Sequence, residues 1–176
     1  MRSAPLQTVV LRPMIEADLK TVLGWRNHIS IRACMYSQHE ISLQEHTSWF
    51  KQAQGDPGYI LLILVVDGLL QGYVNFRRKG TDGAVWGFYS APDAPKGTGI
   101  LLGEKAISHA FTDLKLEKIW GEVFVTNIVS RTYHTRMGFH QESEHLEVNT
   151  PLRPSKKVLR SLLTREDWEV RQGEIE

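Results

Sequence analysis

The sequence predicts a mixed α/β domain, a central β-sheet flanked by helices, and three observations predict it. An unbroken apolar run, Tyr59 to Val66, is followed by the turn pair Asp67-Gly68 and a second strand-like segment, Gly72 to Phe76, so the two read as a β-hairpin. An aromatic-rich run, Ala84 to Tyr89, precedes the glycine-bearing turn Lys96-Gly97-Thr98-Gly99-Ile100. The helical spacing of Leu102, Ala106, Ile107, Ala110, Phe111 and Leu114 follows. Finally, a chain of 176 residues that is 41% apolar suits one domain, burying about 70% of the surface its unfolded form exposes.

In chain order, Thr8 to Leu11 reads as a strand and Glu16 to Asn27 as a helix. A second helix, Leu43 to Gln54, opens on Ser42-x-x-Glu45, a pairing that satisfies two free amides at a helix start. Pro57-Gly58 closes the next loop, and strands Ile60 to Val66, Gly72 to Arg78 and Ala84 to Ser90 follow. Gly87 inside the third of these fits either a bulge or plain close packing. After the central helix come a strand from Lys118 to Thr126, a helix from Asn127 and one or two last strands. Thr150 to Lys157 is a loop-like stretch joining them. Residues 1–176 thus form a single domain, with neither repeat nor low-complexity tract.

Several classes are disfavoured. The net charge is +1 and the basic residues are not gathered into a run, so no nucleic-acid surface is indicated. The longest apolar run is eight residues, far below the roughly 20 a membrane-spanning helix needs. Met1 to Val10 lacks the charged and apolar regions of a leader, and Cys34 is the only cysteine, which excludes an internal disulfide; a cytoplasmic address is expected. Cys34 itself, among apolar neighbours and without a paired base, reads as a core residue rather than a nucleophile. No Gly-Lys-Ser/Thr follows the glycine turn and no run of acids suggests a metal, so neither an NTPase nor a metal site is expected.

The chemistry-bearing stretch is Asn127 to Phe139. At about 100° per helical residue Asn127, Ser130, Arg131 and His134 share one face, an amide, a hydroxyl, a guanidinium and an imidazole aimed at one ligand, while Tyr133 points elsewhere. The helix start after Gly97 and Gly99 can take a pyrophosphate on free amides, with Lys96 adding charge.

This combination resembles the GCN5-related N-acetyltransferase (GNAT) family, whose Arg/Gln-x-x-Gly-x-Gly/Ala turn holds the CoA pyrophosphate and whose later Asn-x-x-(Ala/Ser)-x-x-x-Tyr-x-x-x-Gly-Phe segment meets the pantetheine. Asn127, Ser130, Gly138 and Phe139 fit, and Gly99 takes the central glycine. Lys96, Leu101 and His134 depart from the usual Arg/Gln, small residue and Tyr. The resemblance implies acetyl-CoA as co-substrate and a splayed strand pair at the acyl-CoA site. Phe88, Tyr89 and Ser90, the turn from Lys96 through Gly97, Thr98, Gly99 and Ile100 to Leu101, and Asn127, Ser130 and Arg131 would hold the cofactor. It also implies His134 as the thiolate's acid. The amine must lose a proton as well, and Glu122 on the preceding strand can accept it directly or through water, the competing reading being a solvated strand carboxylate.

A narrower resemblance lies in Leu11-Arg12-Pro13, Trp25-Arg26-Asn27, Met35-Tyr36 and Glu45-His46-x-x-Trp49-Phe50. It is to the branch with ribosomal-protein N-acetyltransferases and the nucleotide-aminosugar N-acetyltransferases of pseudaminic acid synthesis. It implies Met35, Tyr36, Trp49, Trp86 and Glu122 around a UDP-linked deoxy-aminosugar and Arg26 and His46 toward the nucleotide. The competing reading makes Met35, Trp49 and Trp86 plain core and pairs Arg26 with Glu16 or Asp18. The partner expected is a small-molecule nucleotide sugar, with neither nucleic acid nor membrane, and a homodimer is allowed but not required. A peptide N-terminal acetyltransferase and a non-catalytic acyl-CoA-binding module stay open as alternatives.

Overall fold

A computed structural model describes residues 7–150 and 153–173. In chain order the elements are β1 (Val9–Pro13), a 3-10 turn (Glu16–Asp18), α1 (Leu19–Asn27), α2 (Ile29–Arg32), α3 (Leu43–Gly55), β2 (Tyr59–Val66), β3 (Leu69–Lys79) and β4 (Gly83–Ser90). Next come α4 (Thr98–Thr112), β5 (Lys118–Phe124), α5 (Ile128–Arg136), β6 (His140–Thr150), β7 (Arg153–Thr164) and α6 (Arg165–Gly173). The strands form one seven-stranded sheet in the order β1-β2-β3-β4-β5-β7-β6. All neighbours are antiparallel except β4 and β5, which the α4 crossover makes parallel.

The unbroken apolar run of β2 is explained by helices on both faces of the sheet. Leu62, Leu64 and Val66 pack with Val74, Phe76 and the α4 residues Leu102, Ala106, Ala110 and Phe111. Leu61 and Ile63 point the other way, onto Leu19, Val22 and Trp25 of α1 and Phe50 and Ala53 of α3. A strand covered on both sides has no solvent face to mark with polar residues. The Ser42–Glu45 box forms as read, Ser42 Oγ accepting from the Glu45 amide at 3.2 Å and Glu45 Oε2 accepting from the Ser42 amide at 2.7 Å. The hairpin turn forms too: Asp67 and Gly68 take φ of 50° and 80°.

Several expectations need correction. The helix read from Glu16 begins as a 3-10 turn and becomes α-helical only at Leu19, and α2 follows after His28. The loop read as Thr150 to Lys157 is mostly strand: β6 runs to Thr150 and β7 starts at Arg153, and residues 151–152 lie outside the described ones. Gly87 carries no bulge, since the β3–β4 register is continuous from Gly72–Ser90 to Lys79–Gly83; the register shifts lie at Leu64/Val65 and within the β6–β7 pair. Cys34 is exposed, because it sits past α2 in the segment leading to α3 rather than under the sheet. None of the described helices is long and apolar enough to cross a membrane.

Candidate functional site

β4 and β5 share register only from Gly83–Lys118 to Trp86–Gly121. Beyond that point β4 continues to Ser90 beside β3 and β5 continues to Phe124 beside β7. The strands part there, and an edge of backbone groups faces the gap, ready to pair with an extended chain. A cleft of about 970 Å³ fills the gap and reaches across to α1, α3 and α5.

Arg26, Met35, Tyr36, His46, Trp49, Trp86 and Glu122, read as acceptor-side residues, all border this one cleft; so do Phe88, Tyr89, Gly99, Asn127, Ser130 and His134 from the cofactor and catalytic sets. Arg131 does not. Its Nη1 donates to the Val125 carbonyl at 3.1 Å, and the residue borders a separate hollow of about 220 Å³ behind α5. Tyr133, expected to point elsewhere, lines the cleft, packs on Phe88 at 4.9 Å and donates its hydroxyl to the Gly99 carbonyl at 2.7 Å. Asn127 itself is a cap rather than a helical residue, so it sets no direction on the α5 wheel. Its φ and ψ are −85° and 76°, and its Oδ1 accepts from the Ser130 amide at 3.1 Å.

At the glycine turn Gly97 is the cap of α4, with φ of 94°, a conformation other residues rarely adopt. A Cβ there would meet nothing within 4 Å, and one at Gly99 would meet only Ser90 Oγ at 3.6 Å and Tyr133 Cε2 at 4.0 Å, so open space lies over the helix start. Lys96 is exposed beside it. Thr98 is turned inward, donating to the Pro95 carbonyl at 2.8 Å, and the Ile100 and Leu101 amides return to the Gly97 carbonyl. An open, glycine-walled helix start fits a pyrophosphate, with Gly97 and Gly99 as its working residues more than Thr98 or Leu101.

His134 is 3% exposed. Its Nδ1 lies 2.7 Å from the Ser130 carbonyl and its Nε2 lies 3.1 Å from Trp86 Nε1. A carbonyl only accepts and an indole N–H only donates, so Nδ1 carries the hydrogen and Nε2 offers its lone pair. Burial pushes the imidazole below its ordinary 6.5, which favours this neutral form. The expectation that His134 protonates a thiolate therefore meets a ring whose one hydrogen is already given away. Room for the ring comes from Gly121 on β5, where a Cβ would overlap His134 Nε2 and Cδ2.

Glu122 lies at the mouth of the gap, 14% exposed at its side chain, with Oε1 accepting from Arg160 Nη2 at 2.9 Å across β5–β7. The Tyr36 hydroxyl, drawn out of water and set against Glu122, is pushed up to about 12. At the other end of the cleft Arg26 Nη2 donates to the Ser37 carbonyl at 2.8 Å, while buried Nη1 finds no partner among the described residues. The pairing of Arg26 with Asp18 does not occur: Asp18 binds Arg12 at 2.7 Å. His46 stacks on Trp49 at 5.1 Å, and its buried Nε2 is likewise without a partner. Burial and then nearby Arg26 hold His46 below the usual imidazole range.

The sequence reading missed Arg77 and Asn75, both at the cleft wall, and Gly121, Gly103 and Arg160 behind it. A glycine within a strand was the available signal for Gly121. At Gly103 a Cβ would overlap the Tyr133 hydroxyl and come within 2.9 Å of Met137 Sδ, so that glycine seats α5 on α4.

The acetyltransferase (GNAT) domain model matches residues 8–140. Acetyltransferase PseH of Campylobacter jejuni is 27% identical over 110 residues, 62% of this chain and 69% of that protein. Spermidine N-acetyltransferase from Vibrio cholerae, solved with CoA and spermine, has a TM-score of 0.81 at 21% identity, covering 92% of this chain and 98% of its own. The crystal structure of C. jejuni PseH has a TM-score of 0.68 at 18% identity, covering 89% and 98%.

Proposed function

Because the chain belongs to the GNAT acetyltransferase family, whose members use acetyl-CoA, we propose that it acetylates the 4-amino group of a UDP-linked deoxy-aminosugar by direct transfer. One observation carries the choice of acceptor. The half-buried Arg26 has a guanidinium nitrogen with no partner among the described residues, whereas the two carboxylates they bring to the cleft are engaged, Glu122 by Arg160 and Glu45 by the Ser42 amide. A site for a polycation such as spermine would leave carboxylates unpaired; this one leaves a buried guanidinium nitrogen unpaired instead, which suits a phosphate-bearing acceptor better than a polycation. Arg77 adds a second guanidinium to the wall. Met35 and Trp49 supply an apolar side against which a deoxy carbon can rest. The 27% identity to PseH points the same way.

Acetyl-CoA would supply a thioester carbonyl and a thiol which, if near the ordinary cysteine value of about 8.5, can leave without a strong acid. The chain's own residues do the rest. Gly97 and Gly99 admit the pyrophosphate to the start of α4, Asn127 and Ser130 line the pantetheine's path, and the free edge of Gly87 to Ser90 aligns it as an added strand. Glu122, oriented by Arg160, takes the proton the amine loses, directly or through water.

A thiol-release assay with a UDP-4-amino-4,6-dideoxy sugar, spermidine and a ribosomal-protein N-terminal peptide tests this. Arg26→Ala should raise KM for every nucleotide sugar alike, while Met35→Gln should narrow the preference for a 6-deoxy over a 6-hydroxy sugar by about 1 to 3 kcal/mol. Faster acetylation of the peptide or of spermidine would overturn the aminosugar assignment. At the turn, Gly97→Ala and Gly99→Val are expected to weaken acetyl-CoA binding, the first by straining a cap at φ 94° and the second by filling the open space. Calorimetry showing wild-type affinity in both folded variants would remove the turn from the site.

A further inference from the structure

The geometry points to His134 as a positioning residue that fixes Trp86 at the fork of β4 and β5, and not as the group that protonates the leaving thiol. The inference rests on the acyl-transfer reading of the cleft and deepens it. Trp86 is the last β4 residue in register with β5, opposite Gly121, so its backbone marks the place where the acyl carrier's path begins. Its indole N–H donates to His134 Nε2 at 3.1 Å, and His134 passes the link to the Ser130 carbonyl at 2.7 Å, in the helix that also carries Asn127 at its cap. A chain of two hydrogen bonds thus ties the sheet edge to the helix that faces the cofactor.

The surroundings leave the ring little chance to act as an acid. Trp86, Phe88, Tyr133 and Phe139 pack around it with centroids 5.0–5.9 Å away. Of these rings only Tyr133 titrates, and burial drives its hydroxyl far above the neutral range. From β5, Gly121 presents no side chain, and the next residue, Glu122, has its carboxylate on Arg160. Protonating Nε2 would set an N–H against the indole N–H, two donors facing one another inside an aromatic cage.

Glutamine separates the two roles, because its amide can donate to Ser130 and accept from Trp86 yet cannot carry a transferable proton. Under the positioning role His134→Gln keeps most of kcat. His134→Phe and Trp86→Phe each lose about 10²-fold, as a reacting group displaced by 1 Å would, and the double variant loses no more than either alone. If His134→Gln is as inactive as His134→Phe while Trp86→Phe stays active, His134 is the acid and the proposal falls. A second readout needs no turnover. In ¹⁵N spectra the Trp86 indole N–H signal, assigned by its loss in Trp86→Phe, should shift in His134→Phe and hold in His134→Gln. It should also stay in place as the pH falls to 6.5, the ordinary imidazole value. An indole signal indifferent to His134→Phe would overturn the link itself, whatever amine the enzyme takes.

Discussion

Glu122→Gln should lower kcat by about 10²- to 10⁴-fold, the usual contribution of a positioned general base, with acetyl-CoA affinity nearly intact. The amide keeps an oxygen for Arg160 Nη2, which Glu122 Oε1 now engages at 2.9 Å, so the β5–β7 cross-strand pair is not left with an orphaned cation. What it loses is the ability to accept a proton, at a point where β5 has just separated from β4 and an amine can approach the acyl carbon. Glu122 is flanked by Tyr36, Arg77 and Arg160, and the phenol is held protonated by loss of water and by the carboxylate itself. Tyr36 is therefore no substitute base near neutral pH. Steady-state thiol release together with calorimetric acetyl-CoA titration reads both quantities. A Glu122→Gln enzyme with wild-type kcat would leave the amine to lose its proton to solvent and would remove Glu122 from the chemistry.

The sheet and its main helices were legible because they depend on patterns the chain cannot hide. The apolar run of β2, the spacing of Leu102, Ala106, Ala110 and Phe111, and the φ-tolerant Asp67-Gly68 each admit few alternatives. Helix α6 was missed because none of its residues is buried; it is held by Trp168 against Phe111 at 5.4 Å and by Arg165 on Glu117 at 2.9 Å. A local signal was present all the same, since Thr164 Oγ1 caps the Asp167 amide at 3.1 Å in a Thr-x-x-Asp sequence. Part of the cleft was readable from motif spacing, as with Asn127, Ser130 and Gly99, while Glu122, Arg26 and the other acceptor-side residues entered through the family resemblance and the chemistry it needs. Three aspects were not readable. Arg131 turns its guanidinium to the Val125 carbonyl, Tyr133 reaches across to the Gly99 carbonyl of α4, and His134 gives its hydrogen to a carbonyl 4 residues away and its lone pair to an indole N–H 48 residues away. Helical periodicity reports direction around an axis and cannot report which tertiary partner consumes a polar atom.

Gly121→Ala should be strongly destabilising for a single added methyl. The added Cβ overlaps the His134 imidazole and comes within 3.2 Å of Trp86 Nε1, and all three groups are buried. Overpacking of this kind costs about 1–3 kcal/mol, and swinging the ring away strands a buried indole N–H and the Ser130 carbonyl, each worth a further 1 kcal/mol or so. For a chain of this length a loss of about 3 kcal/mol lowers Tm by roughly 6–12 °C. Gly87→Ala is the matching control, on the neighbouring strand and also beside the gap. There the new methyl meets only the end of the Asn75 amide, at 3.1 Å, and that side chain is held by one hydrogen bond to the Tyr73 hydroxyl at 2.9 Å, so a shift of a few tenths of an ångström suffices and Tm should move less. The two substitutions are chemically identical and differ in what must yield: the end of a singly hydrogen-bonded amide in one case, a doubly hydrogen-bonded ring in the other. His134→Ala in the Gly121→Ala background supplies the last check. By vacating the space it should recover part of the loss, giving a total well short of the sum of the two single changes. Additive losses, or equal melting of Gly121→Ala and Gly87→Ala, would mean that Gly121 does not seat the ring and that the Trp86–His134–Ser130 link is held by something other than the geometry of β5.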